Sequence, residues 1–439
     1  MKSLTTKTDA TVLGLFRAVF GFFMALECIY FLKIDFVKNA LILPKVHFSY
    51  PFFGWLKAGP EELMDLLVFL LLCSAVLIMI GKYLRISSLF FSIGFLYLLL
   101  LDKGHYNNHT YMFSLVAFLL SFTNADKRFS LAKAADSAVP LWQYQILRAM
   151  VFIVYFYGGL AKLNADWLSC GEPMRSYLFS ISPDLADSTF AVNFFKIGGL
   201  GFDLFIGFFL FYRPTRMIAL FFVAFFNFSN AYIFDDIGIF PFIMFFSTII
   251  FFEDGDWVVT KLRSLLGLKN IRAKKEQDVA LAKLPVILIV FFVFQLLFPF
   301  RYLLLPHDKD WTGIGQRFSW RMKIQTRPVS QYEVRVVNAE NGTEAPVQVN
   351  TFINTMQMRV MSQDPVMLWQ FGQFLKEEAA RKGIPQAEVH AAIRVSMNGT
   401  REQYIVDPEL DIAAQDFDPL AYNEWIPERM GDCSEEGTE

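Results

Sequence analysis

Charge is scarce in this sequence: Asp, Glu, Lys and Arg make up 19% of its 439 residues, where a soluble domain carries about 25%. It is also unevenly placed, so that long stretches carry almost none. A net charge of −2, with no basic tract near either terminus, argues against a nucleic-acid partner. Histidine is scarce as well. The five are dispersed, and only His105 and His109 lie close together, straddling a helix start rather than forming a metal-ligand spacing. The four cysteines, Cys28, Cys73, Cys170 and Cys433, show no CxxC spacing and no framework of pairs. Cys28 and Cys73 sit in apolar runs and read as small buried hydrophobes. An internal repeat is also lacking, which disfavours a transporter built from paired halves.

What the sequence has is apolar surface: 54% hydrophobic residues, 50 of them Phe, and a mean hydropathy of +0.38. A membrane span needs about 20 mostly apolar residues. Runs beginning near residues 12, 63, 86, 108, 141, 198, 216, 237 and 283 meet that need. They predict an all-α polytopic membrane bundle of about nine transmembrane helices, residues 1–301. The first run is too long for a signal-peptide core and has no small-residue cleavage site, so it reads as a retained span. Segments 34–61, with Pro44, Pro51 and Pro60, and 163–197 read as re-entrant or surface loops. With the N-terminus cytoplasmic, the short loops place 15 Lys and Arg inside, from Lys2 to Lys275, against 8 outside, from Lys33 to Lys196. An odd number of spans then puts the C-terminal part outside.

That part changes composition. YEVRVV and APVQVNTFI read as strands turning at Asn341-Gly342, residues 364–382 as a helix, and VHAAIRVSM with REQYIV as a hairpin across Asn398-Gly399. The expectation is a small α+β extracytoplasmic domain over 302–426 and a disordered acidic tail over 427–439.

Polar groups at membrane depth are costly and are functional candidates by default. Three clusters stand out: Asn107-Asn108-His109 at the start of the fourth span, Lys162 after Gly158-Gly159 at the end of the fifth, and Asn227 with Asn230 late in the seventh, followed by Asp235 and Asp236. The topology puts all three at the outer ends of their helices. Each also has a structural reading: a snorkelling lysine, a helix cap, interhelical hydrogen bonding. Arg327 is either a solvated side chain or an anchor for a substrate carboxylate.

The blocks LLDKGHYNNHTYMFSLVAFLLSFTNADKRFS and VPLWQYQILRAMVFIVYFYGGLAKLNADWL, with LFRAVFGFFMAL and the QRFSWRMK segment that contains Trp320, resemble the vitamin K-dependent γ-glutamyl carboxylases over most of the chain. The resemblance implies carboxylation of protein glutamate to γ-carboxyglutamate, coupled to epoxidation of reduced vitamin K. The hydroquinone would be the cofactor, O2 and CO2 the co-substrates, with no metal. Partners would be membrane lipid, an isoprenoid quinone and a glutamate-containing protein or peptide. Lys162 falls on the family's base, Asn108 and His109 on its Asn-His pair, and Tyr155 on the tyrosine before the glycines. Asn227, Asn230, Arg327 and Trp320 are the further candidates for quinone or substrate binding. A lysine would need its pKa of about 10.4 brought down by apolar burial to act as base. The family commonly carries His where this chain has Asn227, and this chain is shorter than the animal enzymes. The shorter C-terminal part and the lack of a disulfide framework favour a bacterial inner-membrane protein with a periplasmic C-terminal domain. Asn227 leaves open a quinone epoxidase without carboxylation, and a non-catalytic membrane binding protein is the remaining alternative.

Overall fold

The computed structural model describes residues 4–132, 136–234, 236–253, 256–265 and 284–431. Helices form in each of the nine expected regions: α1 Thr11–Lys33, α2 Glu61–Ile80, α3 Leu84–Leu101, α4 Asn108–Ser121, α5 Trp142–Ala161, α6 Thr189–Phe211, α7 Arg216–Ile233, α8 Phe240–Ser247 and α9 Val286–Leu297. Seven are long and apolar enough to cross a membrane, α9 with its 3-10 extension to Leu304. The two short ones, α4 and α8, are among the helices that carry the candidate site.

Local chemistry sets the ends. α2 opens behind Pro60 with Glu61 and Glu62 in its first turn and closes on Gly81 at φ +71, the left-handed stop that favours glycine. α4 is capped by Asn107, whose Oδ1 accepts from Thr110 N at 2.7 Å. α6 starts at Thr189 under a Ser188 cap, not near 198 as expected. Asn193 and Lys196 in its first two turns hide the apolar periodicity, so the expected loop ends sooner.

The loops sort into two layers. At one end a two-stranded ribbon, Lys7–Asp9 with Ala138–Pro140, meets the α2–α3 and α4–α5 connections. There the Arg17 guanidinium donates to the carbonyls of Ile78 (2.6 Å), Met79, Arg128 (3.2 Å) and Phe129. At the other end the α1–α2, α3–α4 and α5–α6 loops pack under the C-terminal domain.

That domain is a four-stranded antiparallel sheet, β1 Val329–Asn338, β2 Thr343–Pro346, β3 Ala387–Val395 and β4 Gln403–Tyr404, in the order β2-β1-β3-β4. Helix α10, Pro365–Arg381, packs on it through Leu368, Phe371 and Leu375. Both expected turns form: Asn398-Gly399 takes φ +53 and +78, the pair that a two-residue Asn-Gly turn adopts, whereas at Asn341-Gly342 only Gly342, at φ +69, is left-handed. The 34–61 segment does not lie free: Val46 and Phe48 are buried in the domain's own apolar core, and Gln357 Nε2 donates to Val46 O at 2.8 Å. Residues 427–430, expected to begin the acidic tail, stay hydrogen-bonded: Trp311 donates to Pro427 O and Gln403 to Glu428 O. The rest of that expected tail, 432–439, lies outside the described residues. Cys28 and Cys73 are free thiols, whereas Cys170 is disulfide-bonded, a pairing that spacing along the chain did not reveal.

Candidate active site

One cavity of about 690 Å3 brings together Asn108, His109, Tyr155, Lys162, Asn227 and Asn230. Its polar centre is Lys162, immediately after α5 and 7% exposed. The Nζ donates to Gly158 O at 3.3 Å and is ion-paired with Asp203 of α6. It also lies 5.3 Å from the Trp167 ring centroid. The glycines earn their place sterically. A Cβ on Gly159 would come within 2.7 Å of Leu204 N, and one on Gly158 within 3.4 Å of Asp203 Oδ2, so larger residues would push α6 away from the lysine. Sequence reasoning missed Asp203. Its signal was available: it is the one acidic residue in a 23-residue apolar helix.

The AKLNADW block is a bracket around the lysine. Asn164 Oδ1 accepts from Trp167 N at 2.9 Å, and Trp167 Nε1 donates to Lys196 O at 3.0 Å, which fixes the indole near the amine. Asp166 is buried and tied to the C-terminal domain, accepting from Asn398 Nδ2 at 2.7 Å and Arg429 Nη2 at 2.9 Å. The domain therefore clamps the loop that follows Lys162.

The Asn-Asn-His run divides its work. Asn107 is the helix cap. Asn108 Oδ1 accepts from Tyr106 Oη at 2.9 Å, and its amide reaches Arg321 O at 3.4 Å. Tyr106 in turn accepts from Phe318 N at 2.7 Å, so Asn108 anchors the 313–323 segment over the cavity. His109 packs against Phe113 and Phe240, and no hydrogen bond reaches its ring nitrogens among the described residues. Asn227 Nδ2 donates to Tyr155 Oη at 3.0 Å and Val223 O at 2.8 Å. That is the expected interhelical bond, and it leaves the amide oxygen free to accept from a ligand. Asn230 lines the same wall, half-buried. Of the two aspartates that follow, Asp236 pairs with Lys323, and Asp235 lies outside the described residues.

Two expected site residues are elsewhere. Trp320 is fully buried and stacks on Tyr111 (5.1 Å, 29°), behind the cavity wall rather than on it. Arg327 is neither solvated nor in the cavity: its guanidinium donates to Gln363 O at 2.5 Å and to Asp310 O, joining parts of the C-terminal domain. Both lie in or beside a stretch where Phe318, Trp320 and Lys323 hold positive φ. Such non-glycine left-handed conformations cost about 1 kcal/mol or more each and cluster at functional sites.

The remaining wall is apolar, largely Phe from α6 and α7, including Phe194, Phe202, Phe222 and Phe226. A Cβ on Gly198 or Gly201 would meet nothing within 4 Å, so a slot runs between these helices. Among the described residues no group of three or more His, Cys, Asp or Glu is placed to hold a metal ion.

A multi-span helical membrane protein with a ligand chamber beneath a soluble domain is the class these features define. A family model for the HTTM domain matches residues 5–257, and one for the vitamin K-dependent gamma-carboxylase lumenal domain matches residues 282–430. The chain belongs to the vitamin K-dependent gamma-carboxylase family. No solved structure matches it.

Proposed function

We propose that the chain carboxylates protein glutamate to γ-carboxyglutamate and couples the step to epoxidation of vitamin K hydroquinone by O2. Hydroquinone, O2, CO2 and the glutamyl side chain give epoxide, the γ-carboxyglutamyl side chain, water and a proton. The carrying observation is the convergence of Lys162, Asn108, His109, Tyr155, Asn227 and Asn230 on one chamber. When bound, the hydroquinone supplies the electrons and, after reacting with O2, the strength of base needed to remove the γ-proton.

The chain's residues then have separable tasks. Lys162 accepts the phenolic proton. Its pairing with Asp203 changes the expected picture of a bare amine desolvated by apolar walls. The Asp203 carboxylate lies against the amine and is placed to exchange a proton with it away from water. The free Asn227 amide oxygen and the Tyr155 hydroxyl orient the ring oxygen, and His109 offers an unengaged ring nitrogen to developing negative charge. The Phe-lined slot beside Gly198 and Gly201 suits an isoprenoid tail. The disulfide at Cys170 suits an oxidising compartment on the chamber's side. Together with the loop-charge bias it supports a cytoplasmic N-terminus and a chamber on the extracytoplasmic side, whether that is a bacterial periplasm or another oxidising compartment.

The test is purified full chain in detergent with reduced vitamin K, labelled CO2 and a Glu peptide. Epoxide and peptide label formed together support the reading, and neither product removes it. Asn227, in place of the His the resemblance leads one to expect, favours one second reading, quinone oxidation alone. Epoxide without label in the peptide would establish that instead.

A further inference from the structure

Four cations besides Lys162 line the chamber: Lys103, Arg317, Arg321 and Lys323. Three are met by carboxylates, Arg317 by Asp364 at 2.9 Å, Arg321 by Asp310 at 2.6 Å and Lys323 by Asp236. Lys103 is not. Its backbone is fixed two residues beyond α3 by a bond from its N–H to Phe48 O at 2.8 Å. The neighbouring Asp102 carboxylate is already engaged: it accepts from Gly104 N at 2.7 Å and Gln357 Nε2 at 2.6 Å and faces His47 at 3.3 Å. Lys103 is 3% exposed, and among the described residues no hydrogen bond or ion pair reaches its ammonium. Burial pushes the amine down to about 8, against the pull of Asp364, so it stays mostly charged at neutral pH. A buried charge without a partner is costly, and an anion in the chamber removes that cost.

We propose that Lys103 docks the side-chain carboxylate of the acceptor glutamate, an assignment that rests on the carboxylase reading above. Of the four cations Lys103 is the one without an ion pair among the described residues, and a monovalent carboxylate is the ligand that would complete it. The approach suits an acidic peptide. Gln316, Arg321 and Lys323 also wall a second cavity of about 750 Å3, bounded by Arg175 and Arg359. Arg359 is exposed and carries no ion pair among the described residues. A glutamate held by its carboxylate at Lys103 keeps its γ-carbon inside the chamber that holds Lys162 and His109.

The experiment is a binding titration of the full chain in detergent, without hydroquinone. The probes are a short acetylated peptide with one Glu between apolar residues and its Gln twin. One hydrogen-bonded charge predicts that wild type prefers Glu by about tenfold or more. Lys103→Met brings the two within about twofold, and Lys103→Arg keeps most of the preference. If the Met variant does not purify as a folded protein, Lys103→Gln takes its place with the same expectation. Equal binding of the two peptides by wild type, or a full preference retained without the lysine, overturns the proposal. Displacement of the Glu peptide by bicarbonate overturns it too, because the cation would then be holding an anion derived from CO2. Because the readout is binding, a chain that selects Glu through Lys103 yet carboxylates nothing would sink the carboxylase reading and leave this subsite standing.

Discussion

The two ends of the helical bundle both bury charge, and they treat it in opposite ways. At the ribbon end, among the described residues, Arg17, Arg148, Arg216 and Asp9 each meet carbonyls or an opposite charge, although the Nε atoms of Arg17 and Arg128 take no partner. Arg148 donates to Ile250 O at 2.9 Å and Phe251 O at 3.3 Å and pairs with Glu253 at 2.9 Å. Arg216 pairs with Asp256 at 2.7 Å. Burial alone would raise the Asp9 carboxyl, but hydrogen bonds from Ser137 and Thr11, with the charge of Arg263, hold it down at about 2. At the chamber end, His109, Asn230 and the Lys103 ammonium take no partner among the described residues, and Asn227 has an acceptor to spare. Buried polarity alone therefore does not mark function in a membrane protein. Unfinished hydrogen bonding around a cavity does.

The comparison breaks first at Lys162. Lys162→Ala should lower epoxide formation by at least about a thousandfold, the upper range for a positioned general base, with expression and detergent monodispersity unchanged. Turnover within a few-fold of wild type would show that the lysine only fills a helix end. Asp203 sharpens the point, because it touches the base and not the reacting ring. Asp203→Asn keeps the side-chain volume and should reduce kcat by about 10–100-fold while KM for hydroquinone moves less than about threefold. A KM rise with kcat intact would instead make Asp203 a ligand contact.

Much of this arrangement is legible along the chain. Apolar runs locate helices α1 to α9, of which seven are long enough among the described residues to cross a membrane, and Asn-Gly pairs locate two turns of the C-terminal domain. Polar residues at helix ends pick out Asn108, His109, Lys162, Asn227 and Asn230, which meet in the chamber, and the resemblance adds Tyr155. What escapes follows from physics that spacing does not carry. The α6 boundary moves nine residues because an amphipathic start looks like a loop. Arg327 and Trp320 look exposed or functional because carbonyl acceptors and a stacking partner distant in sequence leave no local pattern. Lys103 reads as one more basic loop residue until Phe48, from a segment about 55 residues earlier, is seen to fix it under the domain. The ribbon-end arginines sit in or beside apolar runs much as Lys162 does, and what tells them apart is that Lys162 faces the chamber and they do not.

At the ribbon end the expected effect is on stability and not on chemistry. Arg148→Met removes a donor from the Glu253 carboxylate and from two buried carbonyls, which should cost about 3 kcal/mol or more. A thermal melt should fall by several degrees while epoxide formed per folded molecule stays within about twofold of wild type. A collapse in kcat with an unchanged melt would mean that this end, too, takes part in the reaction.

The smallest effect isolates the Lys103 charge without any ligand. Its folded pKa of about 8 lies below the value of about 10.4 expected for the unfolded chain. Below pH 8 both states hold the proton and the burial penalty is constant. Between about pH 8 and 10.4 the unfolded chain binds a proton that the folded chain has released, so stability rises with pH. Lys103→Met has no such proton. Across that window wild type should gain up to about 3 kcal/mol relative to the variant, a few degrees in melting midpoint at most. A difference between the two that stays flat from pH 8 to 10.4 would place the amine in contact with water or a carboxylate. The chamber would then be as well satisfied as the ribbon end, and the contrast between the two ends would fail at its most specific residue.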